Sequence, residues 1–238
     1  MFAIDLHSHT RFFHGRPELG ATYDPYGFKM LAWAAKRRGL HGLATTNHDY
    51  YREFDAPDDF VVIPGIEVTT TRGHVLVVGP DPPERTEPKR LTPEEAVDLA
   101  HDRDCAAIIA HPYRNSTVRD VDAPFDAIEI NGKHPRTRPW VEHLAKGHDL
   151  PMTGGSDAHY PLEVGRAFTT VDADMLTPES VVEAIRDGRV EAQVGHGFPN
   201  GILRPAYRRI HEWKGYLDKP DRITPGVGTP PGEQENKP

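Results

Sequence analysis

The segment DLHSHT places two histidines, His7 and His9, two residues apart at the end of a short apolar run. Side chains alternate faces along a strand, so both imidazoles aim at one point while Leu6 and Ser8 face the other way. Imidazole is a common ligand of divalent transition metals, and further donors recur at the ends of apolar runs. His14 follows the first run, Asn47-His48-Asp49 follows GLATT, and Glu67 lies within IPGIEVT. His74 begins HVLVVG, His111 ends AAIIAH, and Asp157 and His159 follow PMTGG. Seven histidines and two carboxylates are thus placed alike, whereas the other seven of the chain's 14 histidines fall mostly in helices, turns or the C-terminal segment. A single such histidine is an ordinary surface or core residue. Together, at strand ends, they read as donors that converge. Cys105 is the only cysteine, which excludes an internal disulfide and speaks against a structural cysteine metal site.

Convergence requires a frame. Short apolar runs at FAIDL, GLATT, VVIPGIEV, HVLVVG, AAIIAH, AIEI, PMTGG and AFTTV predict strands. Amphipathic stretches separate several of them. Asp24-Pro25 opens FKMLAWAAKRR and Gly39 closes it; Thr92-Pro93 with Glu95 forms a capping box; Thr177-Pro178 opens ESVVEAIRD and Gly188 closes it. The alternation predicts an α/β fold of mostly parallel strands, in number suited to a barrel, with strand ends collecting on one face. No internal repeat is visible. A chain of 238 residues can bury one substantial core.

The net charge of -8 gives no general attraction to nucleic acid or an anionic membrane, so a small phosphorylated substrate or nucleotide is favoured over long nucleic acid. No apolar stretch is long enough to span a bilayer, and MFAIDLH lacks the features of a secretory signal. A cytoplasmic location is therefore expected. Residues 204–218 predict a basic amphipathic helix packed on the barrel, with Tyr207, Ile210, Trp213 and Leu217 forming an apolar stripe and Arg208, Arg209 and Lys214 nearer solvent. The Pro/Gly-rich residues 219–238 predict a disordered tail. Oligomeric state is not set by these features.

DLHSHT, TTNHD, IPGIEVT, AHPYR and GGSDAH, in that order and with helices between, resemble the motifs of the PHP (polymerase and histidinol phosphatase) family of metal-dependent phosphoesterases. The resemblance runs from residue 1 to about residue 170. It implies a distorted seven-stranded β/α barrel domain over residues 1–203 and a site for two to three divalent transition metal ions, Zn, Mn or Fe. Carried onto this chain, the pattern gives His7, His9, Glu67 and Asp157 to one metal and His74 and His111, with Glu67 shared, to a second. His14, His48 and His159 go to a third. Glu67 is the implied bridge, because a carboxylate has two oxygens for two cations. The family usually has aspartate immediately before the histidine of TTNHD. Asn47 would orient His48 without supplying charge, and the third metal is expected to bind more weakly.

The resemblance further implies hydrolysis of a phosphomonoester or nucleotide-like phosphodiester by a metal-bridging hydroxide. His159, Asp157 and Arg114 form the expected catalytic set. Arg114, Lys133 and Arg11 stand within reach of a substrate phosphate, while Glu129 and Asn131 would orient other groups or touch substrate. The intervals of 44 residues from Glu67 to His111 and 46 from His111 to Asp157 leave little room for a cap domain, so the site should be open. The alternatives are a histidinol-phosphate phosphatase, hydrolysis of a C–N or C–O bond by the same chemistry, or a metal-bound but catalytically quiet regulatory module.

Overall fold

Each apolar run becomes a strand: β1 (Phe2–Ser8), β2 (Gly42–His48), β3 (Val61–Thr70), β4 (Gly73–Val78), β5 (Ala106–Ile109), β6 (Ala127–Asn131), β7 (Met152–Gly155) and β8 (Ala167–Val171). A ninth, β9 (Val190–Val194), follows. The computed structural model describes residues 1–11, 17–114, 116–195 and 209. His14, the tail 219–238 and all of 204–218 but Arg209 lie outside the described residues.

The strands form one sheet in the order β7-β6-β5-β4-β3-β2-β1-β8-β9. Its two end strands, β7 and β9, also approach each other, so the sheet is a nearly closed barrel. Among the described residues, the expected count of seven strands is thus corrected to nine. β9 is hard to read from sequence because Glu191 and Gln193 interrupt its apolar residues. It is held as a strand by antiparallel pairing along the whole of β8.

The sheet is also half antiparallel rather than mostly parallel. β1-β2, β2-β3, β5-β6 and β6-β7 are parallel, whereas β3-β4, β4-β5, β1-β8 and β8-β9 are antiparallel. Only Thr71 and Arg72 separate β3 from β4. So short a link can make a hairpin but not a parallel crossover.

Among the described residues, four α-helices of a full turn or more cover the sheet. α1 (Pro17–Arg37) begins eight residues before the Pro25 expected to open it. Pro25 lies inside the helix, where its missing N–H forfeits a backbone bond. Phe28, Leu31, Ala32 and Ala35 form its buried stripe, against Leu40, Leu43 and Phe60. α2 (Pro93–His101) has the expected capping box: the Glu95 N–H donates to Thr92 Oγ1 at 3.2 Å and the Thr92 N–H to Glu95 Oε2 at 2.8 Å. Its Ala96, Val97 and Ala100 meet Val68, Val75 and Val77. α3 (Arg138–His148) buries Val141 and Ala145. α4 (Pro178–Arg186), capped by Thr177 and Ser180, sets Val181, Val182 and Ile185 against Ile4, Ile63 and Ile108. Burying each large aliphatic side chain contributes about 1.5–3 kcal/mol, so apolar packing holds the frame independently of the polar groups at its strand ends. Among the described residues, no helix is long and apolar enough to cross a membrane.

One irregularity bears on the site. The register of β1 on β2 runs Asp5↔Leu43, then Ser8↔Thr45, so it slips by one residue around His7. Such bulges re-aim side chains. Buried Asp5 ties the bulge to the strand end opposite, accepting the His7 N–H at 3.2 Å, the Ser156 N–H at 2.9 Å and the Gly165 N–H at 2.8 Å.

Candidate metal centre

Glu67, wholly buried on β3, is surrounded by five imidazoles. Oε1 lies 2.7 Å from His74 Nδ1 and 3.0 Å from His111 Nε2. Oε2 lies 2.8 Å from His48 Nδ1, 3.3 Å from His9 Nε2 and 3.4 Å from His7 Nε2. Strand register creates this arrangement: His48 pairs directly with Glu67 across parallel β2 and β3. On antiparallel β4 the residue opposite Glu67 is Leu76, which puts His74, two positions away, on the same face.

Asp157, buried just after β7, supplies a second carboxylate. Its Oδ1 lies 2.9 Å from Lys133 Nζ, 3.4 Å from His9 Nε2 and 3.4 Å from His159 Nδ1; its Oδ2 accepts from the Arg114 guanidinium. Lys133 Nζ also lies 3.0 Å from His159 Nδ1. His111 and Asp157 have positive φ, 27° and 52°. Positive φ is uncommon outside glycine, although Asp and His adopt it more readily than most residues.

Burial alone would raise both carboxyl groups, but neighbouring positive charge holds them well below the usual range. His48, His74 and His7 act on Glu67, and Lys133 and Arg114 on Asp157. Burial pushes His9 well down, helped by charge on His48, and takes His111 to about 4, helped by Arg114. For His7 and His48 burial acts in the same direction, but adjacent carboxylates outweigh it and move both upward. Ionised carboxylates beside His9 and His111, which resist protonation, suit a divalent cation, whose binding would displace the protons that the carboxylates favour on His7 and His48.

The donor geometry fits such an ion. His7 Nε2 faces His9 Nε2 at 3.1 Å, and His74 Nδ1 faces His111 Nε2 at 3.3 Å. The facing nitrogens of two neutral imidazoles so placed cannot both carry a proton, so at least one of each couple turns a lone pair inward. The buried Nδ1 of His111 has no hydrogen-bond partner. Three groups, His7/His9/Asp157, His9/His48/His159 and His48/Glu67/His74, each bring donor atoms within 4.8 Å of one another.

The structure therefore brings together eight of the nine expected ligands, with His14 outside the described residues. Arg114 and Lys133 join them through Asp157. Arg11 instead lies 3.6 Å from Asp24 on α1, its guanidinium 4.2 Å above the Tyr50 ring. Asn47 does not orient His48. Its Oδ1 accepts the Thr10 N–H at 2.9 Å and its Nδ2 donates to Thr10 Oγ1 at 3.0 Å. Adjacent strand residues face opposite ways, so the amide that precedes His48 in sequence points away from it. Glu129 is in direct contact with the cluster through His7, at 2.7 Å. That contact joins β6 to β1, and no local motif signals it.

Comparison with known proteins agrees with the motifs. A model of the PHP-associated family matches residues 141–190. No curated protein sequence matches the chain. Among solved structures, PsfC from Pseudomonas syringae superposes with a TM-score of 0.66 at 18% identity, covering 88% of this chain and 98% of its own. A two-domain protein from Bacteroides vulgatus, containing a predicted PHP-like metal-dependent phosphoesterase, gives 0.57 at 20% identity over 87% and 69%. The lesion-specific endonuclease PfuEndoQ from Pyrococcus furiosus gives 0.60 at 21% identity, covering 80% of this chain and 57% of the endonuclease. The resemblance to the PHP family is thereby borne out, and the fold is shared with these proteins.

Proposed function

We propose that the chain is a PHP-type metal-dependent phosphoesterase acting on a phosphomonoester or a nucleotide-like phosphodiester. His7, His9, Glu67 and Asp157 would hold one divalent ion, with Glu67 shared with His74 and His111 at a second. His14, His48 and His159 would hold a third. The observation that carries this reading is Glu67, a buried carboxylate with five imidazole nitrogens within 3.4 Å. Bound ions of this kind, Zn, Mn or Fe, supply Lewis-acid neutralisation of phosphate charge and activate water for attack on phosphorus.

The chain's own groups do the rest. Arg114 and Lys133, each on one oxygen of Asp157, can turn N–H donors to the oxygens of a bound phosphate. His159 keeps Nδ1 among Lys133 and the Asp157 carbonyl, both at 3.0 Å, so Nε2 is the atom that would ligate the third ion or, with that ion unbound, pass a proton to the leaving oxygen. The Pyrococcus furiosus endonuclease supports the diester side of this reading.

The test is a panel of p-nitrophenyl phosphate, its bis ester, nucleoside monophosphates, a 5'-labelled oligonucleotide and histidinol phosphate, each with Zn, Mn and Fe supplied separately. Turnover is expected on at least one ester and should collapse in His9→Ala. Rates no higher than those of His9→Ala with every metal would refute the proposal.

A further inference from the structure

Glu129 is 1% exposed on β6, and its two oxygens meet different partners. Oε1 lies 2.7 Å from His7 Nδ1. Oε2 accepts the backbone N–H of His111 at 2.7 Å and the side-chain Nδ2 of Asn131 at 3.2 Å. The Asn131 amide cannot turn round freely, because its Oδ1 accepts the Lys133 N–H at 3.0 Å. Both groups on Oε2 can therefore only donate. On the other side of the His7 ring, Nε2 faces His9 Nε2 at 3.1 Å and Glu67 Oε2 at 3.4 Å. Gly155 makes room for the pair, since an added Cβ would collide with both Glu129 Oε1 and His7 Cβ.

We propose that Glu129 is a positioning residue that keeps a proton on His7 Nδ1 and so leaves His7 Nε2 to present its lone pair to a metal, an inference that rests on the metal-dependent reading above. A carboxylate only accepts, so the ring nitrogen it faces must donate. The hydrogen bond made by one imidazole nitrogen decides what the other can ligate.

Glu129→Gln separates this role from packing. The amide has the same shape, but its oxygen must face the two fixed donors, the His111 N–H and Asn131 Nδ2. Its NH2 is then turned on His7 Nδ1, which has to accept, and the proton moves to Nε2. Exchanging a carboxylate for an amide behind a functional histidine imposes the wrong tautomer in just this manner. Long-range 1H–15N correlation spectra of metal-free protein, taken at a pH high enough for the His7 ring to be neutral, should show Nδ1 protonated in the wild type and unprotonated, with Nε2–H, in Glu129→Gln. Metal titration should show affinity lower by about tenfold to a hundredfold in the variant, with an unchanged circular dichroism spectrum. A bare Nδ1 in the wild type, or the same protonated nitrogen in both proteins, would overturn the proposal. The wild-type spectrum decides even if the variant does not fold. A wild type that takes up no ion would sink the metal reading alone, because the His7 spectrum of that same sample still reports whether Glu129 sets the tautomer.

Discussion

Replacing Glu67 by Gln keeps the length and shape of the side chain and removes the charge on which His7, His9, His48, His74 and His111 converge. An amide nitrogen does not coordinate as a carboxylate oxygen does. Glu67→Gln should remain folded, lose at least one equivalent of metal by elemental analysis, and turn over more slowly by a factor on the order of a thousand. Full metal content with near-normal turnover would remove Glu67 from the bridging position. Asn47→Asp is expected to leave metal affinity unchanged, because residue 47 faces Thr10 rather than His48. A several-fold gain in a metal titration would show that it orients His48 after all. At this scale the sequence reveals donor types well, since the candidate ligand histidines stand at or close after the ends of apolar runs. Facing direction and long-range partners are less legible. Asn47 and His48 are neighbours that point apart, and the carboxylate that holds His7 lies 122 residues away.

Strands and caps were legible because their signals are local: apolar runs of β5 or β6 length, or Thr92 followed by Glu95 three residues on. β9 and the start of α1 were not, since pairing with β8 and packing on the sheet decide them against a mixed sequence and an internal proline. Two glycines show how element context sets the outcome of one substitution. At Gly155, in β7, a Cβ would strike Glu129 Oε1 and His7 Cβ. Gly155→Ala should lower stability by about 1–3 kcal/mol, as overpacking does, and weaken metal binding with it. At Gly147, in α3, a Cβ would meet nothing within 4 Å. Gly147→Ala should raise stability by up to about 1 kcal/mol through helix propensity. Thermal unfolding of the two variants checks both signs. A Gly155→Ala protein as stable as the wild type, with full metal affinity, would show that the His7–Glu129 pair has space to spare.

Across the whole molecule, helices α1 to α4 brace a nine-stranded, nearly closed sheet whose strand ends hold nearly all of its clustered imidazoles. Nothing local in the sequence distinguishes seven strands from nine; closure is a property of the complete sheet. Cys105 reports on the integrity of that frame. It is fully buried among α2, β3 and β5, and burial pushes its thiol up to about 11. Thiolate is the reactive form, so iodoacetamide should label Cys105 only after denaturation, as mass spectrometry would show. Rapid labelling of folded protein would mean that α2 opens locally. The most direct test of the central claim is the metal content of protein purified without chelator, by elemental analysis, before and after saturation with Mn, Zn or Fe. About two to three transition metal ions per chain are expected, removable by chelation and restored together with activity. Fewer than one ion per chain after saturation would contradict a metal centre at Glu67.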